Sequence, residues 1–284
     1  MNPLLVNEKL AGFLKEDIGF GDLSVSYLPT DKVLTGYFIA KQSGIVCGQQ
    51  LPQLAYNLIG EAHYTSLVSD GQHISSGQKI GKVVGATATL LTGERVILNL
   101  MQRMSGIATK TAQVITELND PTIKITDTRK TTPGLRLFDK YAVTVGGGFN
   151  HRFDLTNAIM LKDNHIALAG GVKEALLMAK KNAGPLTPIE IEVETKQELQ
   201  DAISIGADVI MFDNQDPSTI KKWKKLVPDN IHVEASGGIS EDTIASFSGC
   251  GADFISIGNL TNAVSPPDIS FLVEGTVKKS VHVS

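Results

Sequence analysis

Ile231-His232-Val233-Glu234-Ala235-Ser236-Gly237-Gly238-Ile239 is a short β-branched run that halts on a serine and two glycines, and Phe254-Ile255-Ser256-Ile257-Gly258-Asn259 repeats the design. Between them, Ser240-Glu241-Asp242 reads as a helix start, leading into a helical stretch over residues 241–248. Strand, crossover helix and second strand make one βαβ unit, and such units build parallel sheets. Working outward, apolar runs recur at residues 123–125, 158–161, 189–193 and 209–212, with helical patterns at 172–181, 196–205 and 217–227. The runs are nearly continuous in apolar residues, as strands covered on both faces are. They number six, short of the eight in a closed (β/α)₈ barrel, so an incomplete barrel and an open wound sheet both satisfy the α/β pattern.

The chain before Pro121 has a different texture. Leu5, Leu10, Phe13 and Leu14 have helical spacing and lead into Gly19-Phe20-Gly21-Asp22. From Val33 to Leu91 short β-like runs alternate with glycine turns, with one helix near residues 52–59. Val96, Leu100, Met104, Ile107, Thr111, Val114 and Leu118 then recur at three or four residues, the apolar face of a long helix, where Met101 and Met104 serve as core. The division expected is an N-terminal α/β domain over residues 1–108 and a βαβ domain over residues 109–267, with the tail 268–284 free to pack back on the first.

Composition removes several function classes. A formal charge of −4 argues against a nucleic-acid surface, and no apolar run nears the roughly 18 residues of a membrane span. Cys47 and Cys250 lack any partner motif and read as reduced thiols of a cytoplasmic protein, an expectation shared by an N-terminus without a signal pattern. No zinc set, nucleophile elbow, Walker loop or dinucleotide fingerprint is present.

Against that acidic background, Arg129, Lys130, Arg136, His151, Arg152, Lys162 and His165 crowd into residues 127–165, interrupted by Gly146-Gly147-Gly148. Such a cluster points to a small polyanion. Each apolar run also ends on polar or glycine residues: Asp127-Thr128-Arg129-Lys130, Lys162-Asp163-Asn164-His165, Glu194, Asp213-Asn214, Ser236-Gly237-Gly238 and Gly258-Asn259. In parallel α/β folds active sites form at that edge. The two late glycine loops suit a phosphate, since glycine lets backbone N–H groups approach an anion. Arg forks and Lys ammoniums suit a ligand with more than one carboxylate. Arg136 and Lys140 are expected only to coat a helix. His151 reads equally as structural or ligand-binding, and His165 is the weaker candidate.

Along the third run, Glu190, Glu192 and Glu194 share one face by alternation. Glu192, near the top, is placed to meet a ligand or cation, whereas Glu190 is expected in an internal Glu–Lys network. Glu192 and Asp213 together suit Mg²⁺, a hard ion that prefers carboxylate and phosphate oxygen. The expected ligands are a phosphorylated sugar at the glycine loops and a small polycarboxylate at the cations.

The stretches DTRKTTPGL (127–135), GGGFNHR (146–152), LKDNH (161–165), EVE (192–194), DN (213–214) and EASGGI (234–239), with EDIGFGDLS (16–24) and TGERVILNLMQRMSGIAT (92–109), resemble the quinolinate phosphoribosyltransferases in order over nearly the whole chain. That resemblance implies an N-terminal α/β sandwich domain, an incomplete α/β barrel and a homodimer, or a higher oligomer built from it. It implies transfer of phosphoribosyl from phosphoribosyl pyrophosphate to quinolinate, with decarboxylation, as a step of NAD synthesis. Arg95 of the partner subunit would join Arg129, His151, Arg152 and Lys162 on quinolinate. Lys130, Glu192 and Asp213 would serve catalysis at the ribose, pyrophosphate and Mg²⁺. Ser236, Gly237, Gly238, Gly258 and Asn259 would hold the 5-phosphate, with Thr128 and Ile257 in the same binding set. Many members read Leu-Thr-His-Ser where this chain has Leu260-Thr261-Asn262-Ala263, so the phosphate contacts differ there. Two rival readings are a barrel lyase using Lys130 or Lys162 as a Schiff-base amine and a non-catalytic metabolite-binding protein of the same fold.

Overall fold

The computed structural model describes residues 1–27 and 32–274. Backbone proximity divides the chain into two units, the first formed by residues 1–109, 133–146 and 264–284, the second by residues 110–132 and 147–263.

In the first unit, helix α1 (Pro3–Ile18) starts where the Asn2 side chain accepts from the Leu4 N–H at 3.0 Å, and Pro3 occupies a position that needs no donor. It buries Val6, Leu10 and Leu14. Helix α2 (Leu23–Ser26) is one turn, capped by Asp22. Strands β1 (Val33–Ala40), β3 (Ala62–Ser66) and β5 (Lys79–Ala86) pair antiparallel, with helix α3 (Leu51–Ile59) between them in sequence and a small ladder of β2 (Gly44–Ile45) with β4 (His73–Ile74). The C-terminal strand β12 (Ile269–Val273) completes a sheet of order β12-β1-β5-β3. The Phe271 ring lies over Gly36, where any Cβ would collide with it. The portion of the tail beyond residue 274 lies outside the described residues.

Helix α4 (Thr87–Leu118) carries the unit boundary within it, between Thr109 and Lys110. Helix α5 (Arg136–Val145) belongs to the first unit, where Asp139 accepts a two-pronged ion pair from Arg103 at 2.7 and 2.8 Å. Lys140, expected to coat this helix, is instead fully buried on it. A row of Phe138, Asp139 and Ala142 faces inward, and the long stem of Lys140 is absorbed with it.

The second unit carries six parallel strands: β6 (Lys124–Thr126), β7 (Ile159–Leu161), β8 (Ile189–Val193), β9 (Val209–Asp213), β10 (His232–Ser236) and β11 (Phe254–Ser256). Their order is β6-β11-β10-β9-β8-β7, a sheet with β6 and β7 as its two edges and a strand count short of a closed barrel. The six runs read from the sequence are these six strands. Helices α6 (Asp163–Ala169), α7 (Val172–Asn182), α8 (Lys196–Ile205) and α9 (Pro217–Lys224) fill the crossovers. Two begin directly after strand ends on strong caps: Thr195 and Glu198 exchange bonds of 3.2 and 2.9 Å at α8, and Asp216 accepts from Ser218 and Thr219 at α9.

One element differs from expectation. Residues 241–248 do not form an α-helix; a turn leads into a single 3₁₀ turn, Ile244–Phe247. The Thr243 hydroxyl accepts from the Ser240 N–H at 3.0 Å, a local bond that competes with helix propagation, and Gly249 and Gly251 follow in positive-φ conformations. The phosphate-binding reading therefore loses the helix N-terminus at Ser240. The other loop leads only into the one-turn helix α10 (Asn259–Asn262). Among the described residues no helix is long and apolar enough to cross a membrane.

Candidate active site

At the carboxyl ends of the six strands lies a cavity of about 350 Å³. Strand alternation decides what enters it. On β8 the apolar row Ile189, Ile191 and Val193 is buried behind, while Glu190 and Glu192 take the other face. Register then sets the neighbours: Glu192 lies across from Met211, Met211 from Glu234, and Asp213 from Ser236. Ser236 accepts from the Ser256 hydroxyl at 2.9 Å, which links β10 to β11.

The cavity brings together Thr128, Arg129, Lys130, His151, Arg152, Lys162, Glu192, Asp213, Ser236 and Gly237, all proposed from the sequence. Its charge is divided by strand. The cations come from β6, the 147–152 segment and β7, the edges of the sheet; Glu192, Asp213 and Glu234 come from β8, β9 and β10 at its centre. The pocket is therefore polarised, with the cations of the linear cluster on one side and Glu192, Asp213 and Glu234 on the other. Asp163 and Glu194 add acids at its rim.

On the cationic side three groups are anchored at their base or tip. Arg152 Nη1 donates to the Ala158 carbonyl at 2.9 Å, and burial followed by repulsion from Arg129 lowers its pKa. Lys162 is ion-paired with Glu192. The Lys130 N–H donates to Thr128 Oγ1 at 3.0 Å and its carbonyl accepts from Thr261 Oγ1 at 2.9 Å, tying the β6 loop to the last glycine loop. Gly258 allows this approach, since a Cβ there would stand 2.8 Å from Lys130 Cδ.

The His151 side chain is mostly buried, 14% exposed. Its backbone N–H donates to buried Asp127 at 2.8 Å, and Nε2 lies 3.0 Å from Glu190 and 3.4 Å from Glu234. Burial disfavours the imidazolium, but the hydrogen bonds and charges of Glu190 and Glu234 outweigh it and raise the pKa from 6.5 to about 10. Burial is also the main cause of a raised pKa at Glu190. Glu190 thus lies inside as expected, but its partner is a histidine and not a lysine.

Other residues fall elsewhere. Gly238 follows Gly237 in the β10 loop, Ile257 is fully buried, and Gly258 and Asn259 form the loop beneath Lys130. Arg95 is exposed on α4 in the first unit, where it lines a separate cavity of about 360 Å³ with Phe13, Asp17 and Arg103. His165 Nδ1 accepts from the Lys162 N–H at 3.1 Å, capping α6. Sequence reasoning overlooked Glu234 and Asp127. Glu234 had a signal, since it shares the parity of Ser236 within an apolar run; Asp127 had none beyond its place before Thr128.

For a divalent cation, Glu192 and Asp213 offer carboxylate oxygens from adjacent strands on the cavity side, a donor set that fits a hard ion.

Comparisons with known proteins agree along the chain. The family described as quinolinate phosphoribosyl transferase, N-terminal domain, matches residues 22–105, and its C-terminal domain counterpart matches residues 107–272. A probable nicotinate-nucleotide pyrophosphorylase [carboxylating] of Bacillus subtilis is 46% identical over 271 residues, covering 95% of this chain and 94% of its own. The nicotinate-nucleotide pyrophosphorylase [carboxylating] of Mycobacterium leprae is 37% identical over 90% of this chain and 93% of its own. Among solved structures, NadC from Streptococcus pyogenes superposes with a TM-score of 0.92 at 38% identity, covering 96% of this chain and 97% of that one. Family match, full-length likeness and a strand-end cavity lead to one conclusion: this chain belongs to the quinolinate phosphoribosyl transferase family.

Proposed function

We propose that this chain transfers the phosphoribosyl group of phosphoribosyl pyrophosphate to quinolinate, releasing pyrophosphate and CO₂ and leaving nicotinate mononucleotide, a step of NAD synthesis. The observation that carries the reading is the polarised cavity, which Arg129, His151, Arg152 and Lys162 line from three segments of the chain. Two guanidinium forks and two further cations match a dicarboxylate. The acids on β8 and β9 and the glycine loops after β10 and β11 match a phosphorylated sugar.

In the reaction, the bond from the anomeric carbon to pyrophosphate breaks and the pyridine nitrogen supplies the new bond. Lys130, beside the Gly258 loop, would take the negative charge that builds on the departing pyrophosphate. Glu192 and Asp213 would hold Mg²⁺, which supplies further neutralisation of the pyrophosphate when bound. Quinolinate alkylated at nitrogen then loses CO₂, leaving an electron pair on the adjacent ring carbon that takes up a proton. No side chain must move a proton in the first step, so positioning and preset charge lower the barrier. A tight pair on the 2-carboxylate would oppose its departure, so the strongest bidentate contact belongs on the 3-carboxylate.

The working assembly is a homodimer in which Arg95 of each protomer completes the partner's quinolinate site. Its exposure on α4 leaves the guanidinium accessible to a second chain. A cytoplasmic setting suits the two buried free thiols, Cys47 and Cys250.

The deciding assay offers quinolinate, nicotinate and nicotinamide separately with phosphoribosyl pyrophosphate and Mg²⁺ and follows mononucleotide. Product from quinolinate alone is expected; turnover of nicotinate without quinolinate would overturn the assignment. Glu192→Gln and Asp213→Asn are expected to weaken Mn²⁺ binding by electron paramagnetic resonance, and unaltered binding in both would remove them as ligands.

A further inference from the structure

Glu190 and Glu234 have no place in the reaction as described, yet they are among the most expensive residues in the second unit. Their side chains are 6% and 3% exposed, and a buried carboxylate is unfavourable unless it is compensated. Each presents Oε2 to the same atom, His151 Nε2, while the second oxygen of each is buried without a hydrogen-bond partner. They stand on β8 and β10, two strands apart, facing inward on either side of β9. At the opposite end of the residue, Asp127 fixes the His151 backbone at 2.8 Å. Ring and backbone are therefore held from two strands and from the loop after β6.

From this geometry we propose that Glu190 and Glu234 are positioning residues, which clamp the His151 ring by Nε2–H and keep it a cation in the floor of the quinolinate pocket. The clamp rests on the functional reading above and adds a reason for two acids beneath an anion site. A neutral imidazole protonated on Nδ1 would turn a lone pair toward two carboxylates, so the proton belongs on Nε2. Two negative charges then favour the second proton as well. The ring so held keeps its charge until the pH rises through its folded pKa, so the pocket does not lose that charge near neutrality. The raised pKa of His151, about 10, agrees with this arrangement. The cavity that His151 lines also holds the charged groups Arg129, Lys130, Arg152, Lys162, Asp163, Glu192, Glu194 and Asp213, and Asp127 meets its backbone N–H.

The test uses the full chain without ligand first. His151 ring resonances, assigned by their loss in His151→Gln, are titrated by NMR in the native protein and in Glu190→Gln and Glu234→Gln. The native ring is expected to stay protonated through pH 8.5, and each variant to titrate lower, toward the ordinary histidine range. Calorimetric binding of quinolinate is then followed across the same pH range. Native affinity should hold within about twofold, while each variant should lose up to tenfold per pH unit above its own histidine pKa. A native His151 that titrates near neutral overturns the clamp, even where neither variant folds. So does variant binding that is weaker by the same factor at every pH, because that pattern belongs to a merely structural role. Absence of quinolinate binding to the native protein would instead sink the substrate assignment, and the ligand-free titration would still judge the clamp.

Discussion

Gly237→Ala and Gly258→Ala separate backbone strain from side-chain positioning in the two loops proposed to hold phosphate. Gly237 has φ +89°, a conformation that costs an alanine about 1–2 kcal/mol. Its new Cβ would also stand 2.7 Å from the Asn214 backbone nitrogen, which cannot retreat because it donates to the Ser236 carbonyl at 2.9 Å. Overpacking of that kind adds about 1–3 kcal/mol. The sum, roughly 2–5 kcal/mol, corresponds to a fall in Tm of roughly 5–15 °C for a unit of this size. Gly258 is different: φ −69° and ψ −30° suit any residue, and the one close contact of its Cβ would be Lys130 Cδ, on an exposed and flexible side chain. Its stability should change by less than about 0.5 kcal/mol. The displaced ammonium should nonetheless raise KM for phosphoribosyl pyrophosphate about tenfold, the scale of one charge-assisted contact. Thermal melts and steady-state kinetics on both variants give the answer. A Gly237→Ala protein that melts with the native one, or a Gly258→Ala protein with native KM, would refute the loop geometry.

Arg103→Met strands a fully buried Asp139 carboxylate and should cost about 3–5 kcal/mol by urea denaturation, more than Asp139→Asn, which leaves a guanidinium 20% exposed to water. A smaller loss in Arg103→Met would contradict the burial of Asp139. Arg95→Ala and Arg129→Ala should each be nearly inactive, and mixing them should restore activity to one site per heterodimer; no recovery after verified subunit exchange would place the site within one chain. His151 has a folded pKa raised from 6.5 to about 10, so its charge-dependent stabilisation is complete below pH 6.5 and disappears as pH rises through 10. The Tm gap between native protein and His151→Gln should therefore narrow over that interval, and a gap that widens would be inconsistent with a histidine held cationic by acids.

Strand-end chemistry was legible because of two periodicities. Six apolar runs that alternate with helical stretches and end in polar residues read as parallel strands with a functional edge, and alternation alone places Glu190 and Glu192 on the same face. The cations clustered in sequence because β6, the glycine triplet segment and β7 follow one another in the chain. Of their acidic counterparts, Glu192 and Asp213 read together as a pair for a hard cation, whereas Glu234, inside an apolar run, did not join them. Residues 241–248 misled because Ser-Glu-Asp is a good helix start whose propagation Thr243 and the two later glycines prevent.

Local pattern by itself determined the strands, their order of use and the residue types at each tip, since these depend on neighbours a few positions apart. Which tips meet is another matter. His151 lies 39 residues before Glu190 and 83 before Glu234 in number, and only the sheet order β10-β9-β8 brings those two acids around one imidazole. A charge on a buried ring is set by whatever surrounds it in space, at a dielectric that makes each neighbour count. That is why the sequence could name His151 but only the tertiary structure decided its partners and its protonation.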